Sequence, residues 1–329
     1  MKTLSRRHAL LALPLLSALG ARASAQTRSS LPDRALRILV GFSAGGGAEL
    51  LARVVAPRLE LRTSRRVTID NKPNDRAEPA GEFLRKGLTE GSVIAFLPTT
   101  TISAMADKET FPFDSRSDLV PLTMAGMFQV VLAVAPETGV ASFADYAKWL
   151  KEGGRERRRL GLTATDTYLK LYARILGREL GVEFEVTPFK GASPLAAALK
   201  AGKIPAGIGS VPPLLEHNRT GAVKFLMTSG AKRVSVLRTV PTVVELGRQA
   251  LELPEWYGFF AASATPPAIA AEWSRQLQPI LREPETVAKL AVFGLDATPT
   301  TQAEALRLYT ERLQFWKVKL ASFDMKEGE

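Results

Sequence analysis

The chain contains no cysteine, and its only two histidines are His8 and His217. Without thiols there are no zinc-ribbon or iron–sulfur ligands, no thiol nucleophile and no disulfide framework. His8 lies in a segment read below as removed, and His217 alone cannot build a multi-histidine metal site. Aromatics are absent from the densest basic run, Arg155 with Arg157-Arg158-Arg159, and Glu156 interrupts it. That run reads as a solvated loop before a strand, not a nucleic-acid surface. Beyond the N-terminus no apolar run approaches the roughly 20 residues needed to span a membrane. What is present, 329 residues that are 46% hydrophobic and 23% charged, has the composition of a folded chain. At about 150 residues per domain the length suggests two domains, each large enough to bury its own core.

The N-terminus reads as an export signal. Lys2, Arg6 and Arg7 form a short basic region, Ala9 to Leu16 is apolar, and small residues end at Ala23-Ser24-Ala25. Cleavage after Ala25 would leave residues 26–329 in the periplasm. Ser5-Arg6-Arg7-His8-Ala9-Leu10 also resembles a twin-arginine motif, with Ala9 where that motif has Phe. Residues 1–25 carry four cations and no acid, so their removal lowers the net charge from +11 to +7. A modestly basic exported protein attracts anions.

The body alternates strand and helix. Leu36-Arg37-Ile38-Leu39-Val40 is strand-like, and Glu49 to Leu61 carries Leu50, Leu51, Val54, Val55 and Leu59 at helical spacing. Val67 to Asp70 and Val93 to Leu97 are further strands, with a helix near Gly81 to Leu88 between them. This order asks for a parallel sheet with helices on both faces. The apolar runs at 129–135 and 256–262 bound a second alternating set, and Ser142 and Thr301 begin capped helices. Ile269, Trp273, Leu277 and Ile280 form one apolar stripe, and Leu306, Tyr309, Leu313, Trp316 and Leu320 another; both read as core packing. The expected fold class is α/β with two lobes, each a mostly parallel sheet flanked by helices, and a ligand cleft between them. Lobe one takes 26–128 with 256–329, and lobe two takes 129–255.

The loop Val40-Gly41-Phe42-Ser43-Ala44-Gly45-Gly46-Gly47-Ala48-Glu49 joins the first strand to the first helix. Glycines let a backbone approach a ligand closely, and a helix N-terminus adds free N–H donors and the positive end of a dipole. The loop lacks the Gly-Lys-Ser/Thr ending of a P-loop, and Leu50 stands where a dinucleotide fingerprint needs glycine. Gly41-Phe42-Ser43-Ala44-Gly45 does match G-x-S-x-G, so a serine hydrolase using Ser43 with His217 is one reading. Against it, only one strand precedes Ser43, and His217 sits in what reads as an exposed helix end. The other reading is a non-catalytic anion cradle.

The same loop resembles the V-P-F-x-A-G-G-x-x-D segment of Bug-type receptors, the periplasmic solute receptors of tripartite tricarboxylate transporters. Further matches follow in order: Asp70-Asn71-Lys72-Pro73, Thr187-Pro188-Phe189-Lys190-Gly191-Ala192-Ser193-Pro194, Thr228-Ser229-Gly230-Ala231-Lys232-Arg233 with Val240-Pro241-Thr242, and Trp256-Tyr257-Gly258-Phe259-Phe260. The resemblance implies a two-lobed periplasmic binding protein, type II-like, that closes on a small carboxylate without cofactor, metal or catalysis. Its partners would be membrane transporter subunits, or a sensor kinase if the receptor signals instead of importing. No nucleic acid is expected, and the protein is expected to be a monomer. Carried over residue by residue, the ligand would meet Ser43, Ala44, Gly45, Gly46, Gly47 and Glu49. Thr99, Thr100 and Thr101 would meet it at a second turn, Thr163, Thr165 and Thr167 at a third, and Ala192 and Ser193 at a fourth. For any single threonine, plain turn and cap chemistry is an equal reading. The chain departs from the family where Asn74 to Pro79 replace a glycine-rich stretch, where Lys170 holds the family's histidine position, and where Glu49 replaces its loop aspartate. Lys170 and Arg76 would favour an acidic ligand; Asp75, Glu78 and Asp166 would favour one carrying an amine.

Overall fold

The computed structural model describes residues 29–41, 47–72, 78–86, 90–99, 115–164, 167–253 and 255–323. The expected export segment, Ser43 to Gly46, Thr100, Thr101 and Thr165 lie outside the described residues. So do Asp75, Arg76 and Asp166.

The first half builds β1 (Leu36–Val40), α1 (Gly47–Thr63), β2 (Val67–Asn71), α2 (Glu78–Lys86), β3 (Val93–Pro98), the single turn α3 (Ser115–Asp118) and β4 (Leu119–Phe128). After Gln129 the second half adds β5 (Val130–Val134), α4 (Phe143–Lys151), β6 (Arg159–Leu162), α5 (Thr167–Leu180), β7 (Glu185–Pro188), α6 (Ala192–Lys200), β8 (Ala206–Ser210), α7 (Val211–Arg219) and β9 (Lys224–Thr228). The chain then returns through β10 (Glu255–Ala262), α8 (Pro267–Arg282), α9 (Pro284–Val292), β11 (Asp296–Ala297) and α10 (Gln302–Ser322). Among the described residues no helix is long and apolar enough to cross a membrane.

Two sheets result, one per lobe, in the orders β11-β4-β10-β3-β1-β2 and β7-β6-β8-β5-β9. Successive side chains of a strand point to opposite faces, and here both faces are covered. Leu36, Ile38 and Val40 enter one core cluster of lobe one while Leu39 enters the other. Val130, Leu132 and Val134 likewise face one core of lobe two, and Val131 and Ala133 the other. Each lobe is therefore a helix–sheet–helix sandwich.

The sheets are mixed, which corrects the expectation of mostly parallel ones. β1 pairs in parallel with β2 and β3, but β10 inserts antiparallel between β3 and β4. In lobe two, β6 is parallel to β7 and β8, while β5 is antiparallel to β8 and β9. The cause is the direction of travel. β4 runs into Gln129 and the second sheet, so β1 to β4 all end facing the other lobe. β10 starts where the chain arrives from lobe two, and β5 where it leaves lobe one, so these two strands run the opposite way. The sequence pattern does not mark β4, which Pro121 and Gly126 interrupt. Pro121 is accommodated beside a register shift between Phe259 and Phe260, and β11 covers only Met127 and Gly126 on the other edge.

The last helix serves both lobes. Ala305 and Tyr309 join a core cluster of lobe one, whereas Trp316 and Leu320 are part of the core of lobe two. Leu306, expected on its buried stripe, is 54% exposed, while Arg312 is buried.

Candidate functional site

Each candidate turn follows the carboxyl end of a strand that points toward the other lobe. The first follows β1. Gly41 is buried, and α1 opens at Gly47 with Glu49 in its first turn. Glu49 is only 1% exposed and forms an ion pair with Arg53 one helical turn on. An acid here also faces the positive end of the helix dipole.

Thr99, at the end of β3, has its hydroxyl already committed. It donates to the Glu255 carboxylate and accepts the Trp256 N–H at 3.0 Å, while the Thr99 N–H donates to the Trp256 carbonyl at 2.7 Å. Its side chain therefore fastens the end of β3 to the start of β10. Glu255 is fully buried and receives the Arg312 Nε at 3.0 Å. Burial pushes the Glu255 carboxyl up, and the Arg312 guanidinium and the Thr99 hydroxyl oppose that shift. This pair was not found from the sequence, although a signal existed: Arg312 falls three residues after Tyr309 and four before Trp316, on the apolar stripe.

In lobe two the turn after β6 and the turn after β7 are tied together. The Gly191 N–H donates to the Thr163 carbonyl at 3.0 Å, and the Phe189 N–H to the Leu162 carbonyl at 2.8 Å. Gly209 makes room for this turn, because a Cβ there would lie 2.4 Å from the Thr163 methyl. Thr167 opens α5. Ala192 turns its methyl into the core with Leu195 and Ala196, leaving its backbone at the start of α6. Ser193 is exposed, and its Oγ lies 3.4 Å from the His217 Nε2 in the last turn of α7. The structure thus sets His217 beside a lobe-two turn.

Among the described residues no group of three acidic or histidine side chains could hold a metal ion. A cavity of about 590 Å³ lies along α5 and the β7 edge, lined by Leu162, Lys170, Arg174, Arg178, Phe184 and Phe323. It reaches the candidate turns near Leu162 and Pro188, at the carboxyl ends of β6 and β7, and near Lys170 at the start of α5.

Residues 51–322 match a family model described as the tripartite tricarboxylate transporter family receptor. BugT of Bordetella pertussis is similar at 24% identity over 287 residues, covering 87% of this chain and 88% of BugT. A protein encoded in the tcbD–tcbE intergenic region of Pseudomonas sp. strain P51 is 24% identical over 296 residues, covering 88% and 87% of the two chains. Among solved structures, a periplasmic transporter superposes with a TM-score of 0.81 at 21% identity, covering 90% of this chain and 99% of the other. Rpa4515 of R. palustris, solved with adipate, gives 0.80 at 23% identity over 88% and 97%. MatC of Rhodopseudomonas palustris, solved with bound malate, gives 0.76 at 19% over 88% and 99%. These structural likenesses speak for the two-lobed fold.

Proposed function

The chain belongs to the tripartite tricarboxylate transporter receptor family, and from that premise we propose that it is an exported receptor which closes two lobes on a small carboxylate and hands it to a membrane transporter. On this reading it binds and releases its ligand unchanged, with no cofactor. The basic and apolar N-terminal segment supports export.

The observation that carries the reading is topological. The turns after β1, β3, β6 and β7 all leave the carboxyl ends of strands directed at the opposite lobe. Open α/β sheets bind ligands in the crevice outside those ends. Helices α1, α5 and α6 start from three of the turns, and the positive dipole ends at their N-termini suit a carboxylate. Malate and adipate, the molecules solved with MatC and Rpa4515, are natural first probes because they differ in chain length and hydroxylation.

Titration calorimetry with malate, adipate and citrate, paired with small-angle scattering, tests the proposal. Saturable binding of at least one, with a smaller radius of gyration, is expected. Absence of heat with all three would defeat the carboxylate assignment, and binding without compaction would defeat closure.

A further inference from the structure

We propose that Tyr168, Glu255 and Arg312 are positioning residues that fasten the ligand-facing turns of both lobes to one hinge through a closed network of contacts. The inference rests on reading those turns as the ligand site. Tyr168, the second residue of α5, is buried, and its hydroxyl donates to the Leu253 carbonyl at 2.8 Å. The Leu253 N–H donates to the Ser229 carbonyl at 3.0 Å. Ser229 in turn exchanges bonds with Val130: its N–H donates to the Val130 carbonyl, and its Oγ accepts the Val130 N–H, both at 2.9 Å. The returning segment is therefore clipped to the outgoing one just past Gln129.

Two residues beyond Leu253, Glu255 takes up Arg312 from α10 and Thr99 from the end of β3. Arg312 lies 4.5 Å from the centre of the Phe315 ring, 5.6 Å from Trp256 and 5.7 Å from Trp316. The Trp316 ring meets Tyr168 edge-on at 5.5 Å. The path Tyr168, Leu253, Glu255, Arg312, Trp316 returns to Tyr168, and it draws members from α5, the returning segment, β10 and α10. From this ring, Thr99 leads directly into the lobe-one turn, and Tyr168 directly follows the lobe-two turn. Two backbone crossings alone would leave the lobes free to rotate about each other. The ring confines that rotation to one hinge path, so that closure brings both turns onto the ligand together and less conformational freedom is lost on binding.

The absence of native cysteine permits a clean test in the full mature chain. Exposed Arg282 in lobe one and Lys200 in lobe two are changed to cysteine and spin-labelled, and their distance distribution is measured by pulsed electron resonance. Tyr168→Phe deletes one hydroxyl and keeps the ring; Glu255→Gln keeps the shape and removes the charge opposite Arg312. The expected result is a broader inter-lobe distance for both, with a melting temperature for Tyr168→Phe within a few degrees of the parent and malate or adipate affinity about tenfold weaker. Should Glu255→Gln fail to fold, Tyr168→Phe carries the test. Unchanged distances with unchanged affinity overturn the hinge assignment and leave the receptor reading standing. Broadened distances in the variants, with a parent protein that binds none of malate, adipate and citrate, support the hinge and remove the carboxylate reading.

Discussion

Glu255 and Glu272 are both buried in lobe one, yet their surroundings move their titrations in opposite directions. Burial dominates at Glu255 and raises it. At Glu272 burial also pushes upward, but hydrogen bonds from Arg275, Gln276 and Ser29 outweigh it and hold the carboxyl at about 2. Arg275 Nε sits 2.7 Å and Gln276 Nε2 2.9 Å from its oxygens. A group whose folded value lies below its unfolded one stabilises the protein above the unfolded value. Here that contribution is complete above about pH 4.5 and is lost as pH falls toward 2. Glu272→Gln should therefore cost roughly 1–3 kcal/mol at pH 7. Thermal melts of the two proteins should converge near pH 2; a constant gap at every pH would contradict the linkage.

At the scale of single elements, Gly191 sets the start of α6. Its φ of +104° and ψ of −178° fall in a region that glycine alone enters readily. A Cβ there would meet nothing within 4 Å, so the cost of Gly191→Ala is backbone strain and not crowding. That cost is of order 1–3 kcal/mol. Relief of the strain would pull the Gly191 N–H from Thr163, so titration of the folded variant should also show weakened carboxylate binding. A melt at parental temperature would mean the turn tolerates a side chain. By contrast, α10 begins on a local device: Thr301 accepts the Glu304 N–H at 3.2 Å, and the Glu304 carboxylate accepts the Thr301 N–H at 2.8 Å.

For the whole molecule, α10 is the member that makes two lobes one unit. Trp316 is fully buried and packs with Tyr168, Tyr172 and Leu253 in the core of lobe two, although its helix starts against lobe one. Trp316→Ala should cost about 3–5 kcal/mol. The loss should be uneven. Hydrogen exchange should accelerate in α5, whose Tyr168 loses one of its ring partners, and stay close to parental in β1 and β3. Equal acceleration in both sheets would show that the lobes unfold together and that α10 gives lobe two no separate support.

Most strands and helices were determined by local sequence. β1, β2, β3 and β6 are short apolar runs, and each strand-to-helix unit closes within a few tens of residues. Ser142 and Thr301 mark helix starts because a cap needs only the next three residues. The positions where α1, α5 and α6 start, just past the carboxyl ends of strands, were legible for the same reason. Tertiary structure decided the rest. β4 gains its pairing from β10, far along the chain, and that partner offsets Pro121 and Gly126 in a way its own pattern does not announce. Strand direction in each sheet depended on which lobe the chain was arriving from. Thr99 was a candidate ligand contact on sequence and only the fold gave its hydroxyl Glu255 as a partner, just as Arg312 sat on an apolar stripe until the fold supplied that same carboxylate. Periodicity of 2 or 3.6 tells a residue which way it faces, but not what faces it; that is fixed only when distant segments pack together.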